Sequence, residues 1–326
     1  MLVSVERAGF ARERELLRQK RDRMDIEKVD PTLRPIVTKF PRFNMERPFV
    51  RWGTATLSGL IPGHNTVGVK RTVVNDKGVK VRVFQPDNAT GSALLWIHGG
   101  GLVGGAARQD DRHCGETAAA LGVTVVSVTY RLAPKDPFPA ALDDCYAAFT
   151  WAQTHAERLH IDPKRCVIGG QSAGGGLAAT LVQRLVDEGV ELAGQWLFCP
   201  MLDDRTAADR SRDAQDHLIW NNRSNLVGWT SYLGQSAFGD TVPPYAVAAR
   251  REDLTGLPPT WIYTSDIELF AQEDREYARR LEAAGVDVVL DVIHGAPHGF
   301  EFWAPNTALA IGLIERSRQW LAERLG

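Results

Sequence analysis

From residue 66 onward the chain alternates short apolar runs with longer segments of helical periodicity. "TVGVKRTVV" (66–74) and "VKVRVFQP" (79–86) carry β-branched residues at period two, and "NDKG" between them has the chemistry of a hairpin turn. "SALLWIHGG" is continuously apolar and stops in glycines, as a buried strand does where it meets a ligand-facing loop. "ETAAALG" predicts a helix closed by glycine, and "VTVVSVTYR" a second buried strand. "PFPAALDDCYAAFTWAQTHAERLHI" enters a helix at Pro139, and residues 164–189 predict a strand, a sharp turn and a helix. "LAGQWLFCP", "PPTWIYTS" and "VDVVLDVIHG" are further strands, while "EDREYARRLEAAG" and residues 306–325 are amphipathic helices. Strands and helices in this alternation predict an α/β protein with a mostly parallel sheet covered on both faces.

Two regions break the rhythm. Residues 204 to about 250 are polar, with aromatic residues and helical patches such as "DHLIWNNRSNLVGWTSYLG", which suits a cap inserted between late strands. Residues 1 to about 50 read as helical and then irregular, ending in "PRFNMERPFVRWG". The charged run "RERELLRQKRDRMDIEK" predicts a solvated surface helix; Arg14, Arg18 and Arg21 lie on it.

Composition adds exclusions. With 38 Lys+Arg against 40 Asp+Glu the net charge is −2, so neither nucleic acid nor an anionic bilayer is an expected partner. The start lacks the apolar core of a signal peptide, and no apolar run has the length of a membrane span. Cys114, Cys145, Cys166 and Cys199 are scattered without zinc-ligand spacing, so neither a metal site nor disulfides are expected. A cytoplasmic location is the expectation.

The chemistry concentrates at Gly170-Gln171-Ser172-Ala173-Gly174, a G-x-S-x-G sequence set between a strand and a small-residue helix. In that setting the turn projects the serine oxygen, and the Ala173 amide at the helix N-terminus faces a developing oxyanion. His98-Gly99-Gly100-Gly101 follows an earlier strand and supplies side-chain-free amides for the same purpose. Gly99, Gly101 and Gly104 also satisfy G-x-G-x-x-G. The polar "AARQDDRHCGET" that follows, and a next strand ending in Tyr130-Arg131 rather than an acid, argue against a dinucleotide site.

A serine nucleophile needs a histidine and an acid, in the chain order serine, acid, histidine. After Ser172 the chain holds His217 in the presumed cap, and His294 and His298 behind the last strand. The phenylalanine and glycine after His298 favour it over His294. For the acid, Asp266 and Glu268 both follow "TWIYTS", and the pattern does not choose between them.

The ordered set His98-Gly99-Gly100-Gly101, "YRLAP", "FPAALDD", "GGQSAGGG", "DLTGLPPT" and "HGF" resembles the bacterial hormone-sensitive-lipase-like (family IV) esterases, and within them the short-chain esterases typified by heroin esterase. The resemblance implies an α/β-hydrolase fold, with a mostly parallel eight-stranded sheet, helices on both faces and a helical cap. It divides the chain into an N-terminal cap segment (1–50) and a catalytic domain (51–326) with the cap insertion. It implies a serine carboxylesterase for short-chain esters, without cofactor, and often a homodimer. It carries the oxyanion amides onto Gly100, Gly101 and Ala173, with His98 and Gly99 supporting the loop, and the base onto His298. In place of the family's D-P-L-x-D-E stands Glu268-Leu269-Phe270-Ala271-Gln272-Glu273, so ungapped alignment puts the acid on Glu268, with Asp266 as fallback. Leu102, where an aromatic is common, and Gln171, where aspartate or threonine is common, are candidate pocket residues, together with Trp220 and Phe40. An amidase or lactonase with the same triad, or a non-catalytic binder on this scaffold, are the alternative readings.

Overall fold

The computed structural model describes residues 22–40 and 45–326. Arg14, Arg18 and Arg21 lie outside the described residues. The rest of that charged run is not helical as expected. Asp22–Arg23 pairs in parallel with Gln215–Asp216, and Asp25 caps a short 3-10 turn at Ile26–Lys28 by accepting from the Glu27 N–H.

The first long helix, α1 (Pro48–Leu60), begins inside the stretch expected to be irregular. Pro48 sits in its first turn, where a missing N–H costs nothing. The helix is hard to read from sequence because Phe49, Trp52, Leu57 and Leu60 face outward while Thr54 and Ser58 face the body.

Eight strands then form one sheet: β1 (Val69–Asp76), β2 (Val79–Pro86), β3 (Gly91–Ile97), β4 (Thr124–Val128), β5 (Ile161–Gln171), β6 (Gly194–Phe198), β7 (Thr260–Ser265) and β8 (Val288–Ile293). Their spatial order is β8-β7-β6-β5-β3-β4-β2-β1. Only β2 runs antiparallel to its neighbours. The β1–β2 hairpin closes with Asp76 opposite Val79, and both intervening residues, Lys77 and Gly78, have positive φ, as a two-residue type I′ turn requires.

Helices α2 (Asp111–Leu121), α3 (Ala140–Thr154), α4 (Ala173–Asp187), α5 (Asn222–Leu233), α6 (Ala271–Ala283) and α7 (Ala308–Leu325) complete the fold. Period-two alternation sends Leu95 and Ile97 of β3 to one face and Leu94 and Trp96 to the other. The first face packs under α3, α4 and α6 through Phe149, Leu181 and Leu281. The second is aromatic: Trp96, Trp196, Phe198, Trp261 and Tyr263 contact one another in sequence and are covered by α2 and α7. Between β6 and β7 lie short turns and α5, which is the segment expected as an insertion.

Helix α2 starts five residues earlier than "ETAAALG" predicted, because its polar first turn is buried and paired. Asp111 accepts from Arg82 at 2.6 Å twice and from Arg71 at 2.8 Å, tying the helix to β1 and β2. Its negative charge also suits a helix N-terminus. Asp110, fully buried, accepts from the Trp96 indole N–H at 2.7 Å. Burial pushes the Asp110 carboxyl up to about 7, with the Trp96 hydrogen bond opposing it.

A group whose folded pKa lies above its unfolded value stabilises fully below the unfolded value and loses that contribution as pH rises through the folded one. Wild-type stability to urea is therefore expected to decline between about pH 4 and about pH 7 through this residue. Asp110→Asn should flatten that decline; an unchanged slope would show that Asp110 is not protonated in the native state.

Candidate active site

Strand β5 delivers Ser172 at its C-terminal end, and α4 starts on the next residue. Ser172 has φ 55° and ψ −121°, a conformation that costs a non-glycine residue about 1–3 kcal/mol. Its backbone is held at both ends: the Ser172 N–H donates to Phe198 O at 2.8 Å, and Ser172 O accepts from Met201 and Gly176. The flanking glycines are steric necessities. A Cβ on Gly174 would lie 2.1 Å from Ile97 O, and one on Gly170 would lie 2.3 Å from Gly174 O.

The loop after β8 brings His298 to this serine. His298 Nε2 lies 2.8 Å from Ser172 Oγ, and His298 Nδ1 lies 2.5 Å from Glu268 Oε2. Both His298 and Glu268 are buried, and the edge of Phe270 packs against the imidazole. Phe300 is fully buried and anchors the far side of the loop, while the Trp303 indole donates to His298 O at 3.0 Å. Glu268 Oε1 accepts from the Thr264 hydroxyl at 2.9 Å, so both carboxylate oxygens are engaged.

Asp266 is turned elsewhere. It accepts from Gly295 N at 2.8 Å and pairs with His294 Nδ1 at 2.9 Å at the exposed end of the same loop. Partial burial pulls its carboxyl upward, but these two partners outweigh that and hold it below the usual range. The structure thus brings Ser172, His298 and Glu268 together and leaves Asp266 and His294 as a separate pair. His217 does not join them; burial lowers its pKa.

The glycine loop after β3 lies against the serine turn. Gly100 and Gly101 have φ 135° and 62°, and among the described residues the amides of Gly100, Gly101 and Ala173 donate to no protein acceptor. His98 is buried under the loop, stacked on Tyr130 at 4.2 Å, with its Nδ1 2.8 Å from Gly99 O. Burial pushes it down to about 4, so it is neutral and Nδ1–H donates to that carbonyl.

A cavity of about 290 Å³ opens over Ser172 and His298. Gln171 and Trp220 line it, with Met45, Thr54, Ser58, Phe302 and Trp303. Two expected pocket residues do not. Phe40 packs edge-on against Trp303 at 5.3 Å, behind the lining. Leu102, at φ 67°, turns into the interior beside Ala173, Met201, Trp229 and Tyr232.

Sequence reasoning missed Thr264, Cys199 and Asp274. A polar residue near the end of the apolar run "TWIYTS" was the available signal for Thr264. Cys199, Glu268 and His298 offer a sulfur, an oxygen and a nitrogen within 4.8 Å of one another. Within that set the Glu268–His298 bond engages the imidazole Nδ1, and burial pushes the Cys199 thiol well above its usual range. Asp274 is fully buried close to Glu268 and Glu273, and burial raises its carboxyl well above the usual range.

Thr264→Val keeps the side-chain shape but strips Glu268 of a donor. Leaving a buried carboxylate oxygen unpaired costs about 1–3 kcal/mol. Urea unfolding should show a loss of that order, and unchanged stability would mean the Thr264 bond does not hold Glu268.

A family model described as alpha/beta hydrolase fold matches residues 94–302. The carboxylic ester hydrolase LipN of Mycobacterium tuberculosis is 34% identical over 231 residues, covering 68% of this chain and 61% of LipN. Esterase LipI of the same organism is 33% identical over 221 residues, covering 67% of this chain and 68% of LipI. The solved structure of a bacterial heroin esterase superposes with a TM-score of 0.85 at 37% identity, covering 92% of this chain and 99% of that one. The chain belongs to the α/β-hydrolase family, among the hormone-sensitive-lipase-like esterases.

Proposed function

We propose that this protein is a serine carboxylesterase acting on short-chain esters, with Ser172 as nucleophile, His298 as general base and acid, and Glu268 as the carboxylate that orients His298. The single observation that carries the reading is the continuous hydrogen-bonded line Ser172 Oγ–His298 Nε2, His298 Nδ1–Glu268 Oε2. Glu268 fixes the Nδ1–H tautomer, which leaves Nε2 to take the serine proton as Oγ attacks the ester carbonyl. The amides of Gly100, Gly101 and Ala173 then receive the oxyanion. His298 returns the proton to the leaving alcohol, and water resolves the acyl-enzyme by the same route.

The reading includes a cap over the site. Its support is that Met45, Thr54 and Ser58 line the cavity from one side and Ile219 and Trp220 from the other. In this division the N-terminal cap segment runs past residue 50 to the end of α1 at Leu60, and residues 204–250 supply the opposite wall.

Hydrolysis of a p-nitrophenyl ester series should be fastest at the shortest acyl chains and fall by about 10⁴-fold or more in Ser172→Ala. Turnover that survives this substitution overturns the assignment. Glu268→Ala should cost about 10²- to 10⁴-fold in kcat, whereas Asp266→Ala should stay within about threefold. The reverse order would move the acid to Asp266.

A further inference from the structure

Thr54, Ser58 and Gln109 line the cavity with their side chains hydrogen-bonded to protein, whereas Gln171 lies beside the nucleophile and is not used by the proposed chemistry. Gln171 is 8% exposed and lines the cavity, and among the described residues its carboxamide makes no hydrogen bond to protein. Its polar atoms reach the cavity, so a ligand that displaces water there must replace the hydrogen bonds that water makes.

The carboxamide is fixed in place by two glycines. A Cβ on Gly99 would lie 2.4 Å from Gln171 Oε1, and a Cβ on Gly299 would lie 2.6 Å from Nε2. It is therefore wedged between the oxyanion loop and the histidine loop, with its nitrogen at the residue that follows His298. The leaving alcohol takes its proton from His298, so the part of the substrate on that side is the alcohol. Among the described residues no lysine, arginine, aspartate or glutamate lines the cavity, which leaves a charged substituent without an opposite charge there. Phe302, Trp303 and Trp220 supply the flat apolar walls of a ring site.

We propose that Gln171 is a specificity-determining residue, whose carboxamide hydrogen-bonds a neutral amide or carbonyl group carried on the aromatic or cyclic alcohol part of an ester substrate. This rests on the esterase reading and narrows its substrate class. Sites built to hydrogen-bond a substrate group discriminate strongly against the analogue that lacks it, because their own polar atoms are then left unpaired.

The test compares two acetate esters of similar shape, 4-acetamidophenyl acetate and 4-isopropylphenyl acetate, in the wild type, Gln171→Met and Gln171→Leu. Intrinsic leaving-group reactivity cancels when the ratio of their kcat/KM values is compared between proteins. The ratio should fall by about tenfold or more in both variants, the loss expected for one buried hydrogen-bonding group. A ratio unchanged within about twofold overturns the proposal while leaving the esterase intact. Wild-type failure on both esters and on p-nitrophenyl acetate would instead overturn the esterase reading, and this inference with it. Should both variants prove inactive on every ester, inhibition of the wild type by the product phenols decides. Tighter binding of 4-acetamidophenol than of 4-isopropylphenol supports the role, and weaker binding overturns it.

Discussion

The close approach of the first turn of α4 to the end of β3 governs most of what surrounds it. Gly174 packs with its Cα against Ile97 O and His98 O, a distance that no side chain tolerates. That contact sets where the glycine loop begins and, through Gly170, how sharply β5 turns into the helix. The strained Ser172 conformation is the result, and hydrogen bonds to Phe198, Met201 and Gly176 hold it from neighbouring elements. Strain of this kind persists only where the surrounding structure over-determines the backbone, and here the end of β6, the loop that follows it and the first turn of α4 do so.

Around His298 burial raises the acidic groups, and hydrogen bonds donated to their carboxyls oppose it. Glu268 is engaged at both oxygens, by His298 and Thr264. Glu301, buried nearby, accepts from the Tyr263 hydroxyl, yet burial still pushes it up to about 7. The same burial pushes the Cys199 thiol, the Tyr263 phenol and the Asp274 carboxyl well above their usual ranges. Glu268 thus lies among buried groups whose carboxyl, thiol and phenol pKa values are raised by burial.

Away from the site, the α2 start shows the same balance applied to folding. Asp111 with Arg71 and Arg82 binds the helix to the antiparallel hairpin at the sheet edge. Removing either side of such a buried cluster costs more than the cluster contributes as a pair, so it specifies the docking of α2 more than it adds stability. Below it, the aromatic layer from Trp96 to Tyr263 fills the wide space between the sheet and α7.

The sequence by itself determined the order of elements and the candidate site residues. Strand runs such as "SALLWI" and "TWIYTS" are apolar enough to be buried on both faces, and the glycines around Ser172 and His98 mark backbone that must approach other backbone. Those are local signals, readable wherever the cause lies within a few residues. Ungapped alignment with the family favoured Glu268, but which histidine each carboxylate meets was not local, since Asp266 and Glu268 follow the same strand. It depended on which of them the loop after β8 meets: Gly295 and His294 meet Asp266, while His298 meets Glu268. The helical start at Asp111 was hidden for the same reason, because its partners Arg71 and Arg82 lie on other strands. Leu102 and Phe40 look like pocket residues in a linear reading, but backbone direction at one and an intervening Trp303 at the other place them behind the cavity wall. Side-chain identity set what could react, and packing between distant segments decided which of those groups face the same space.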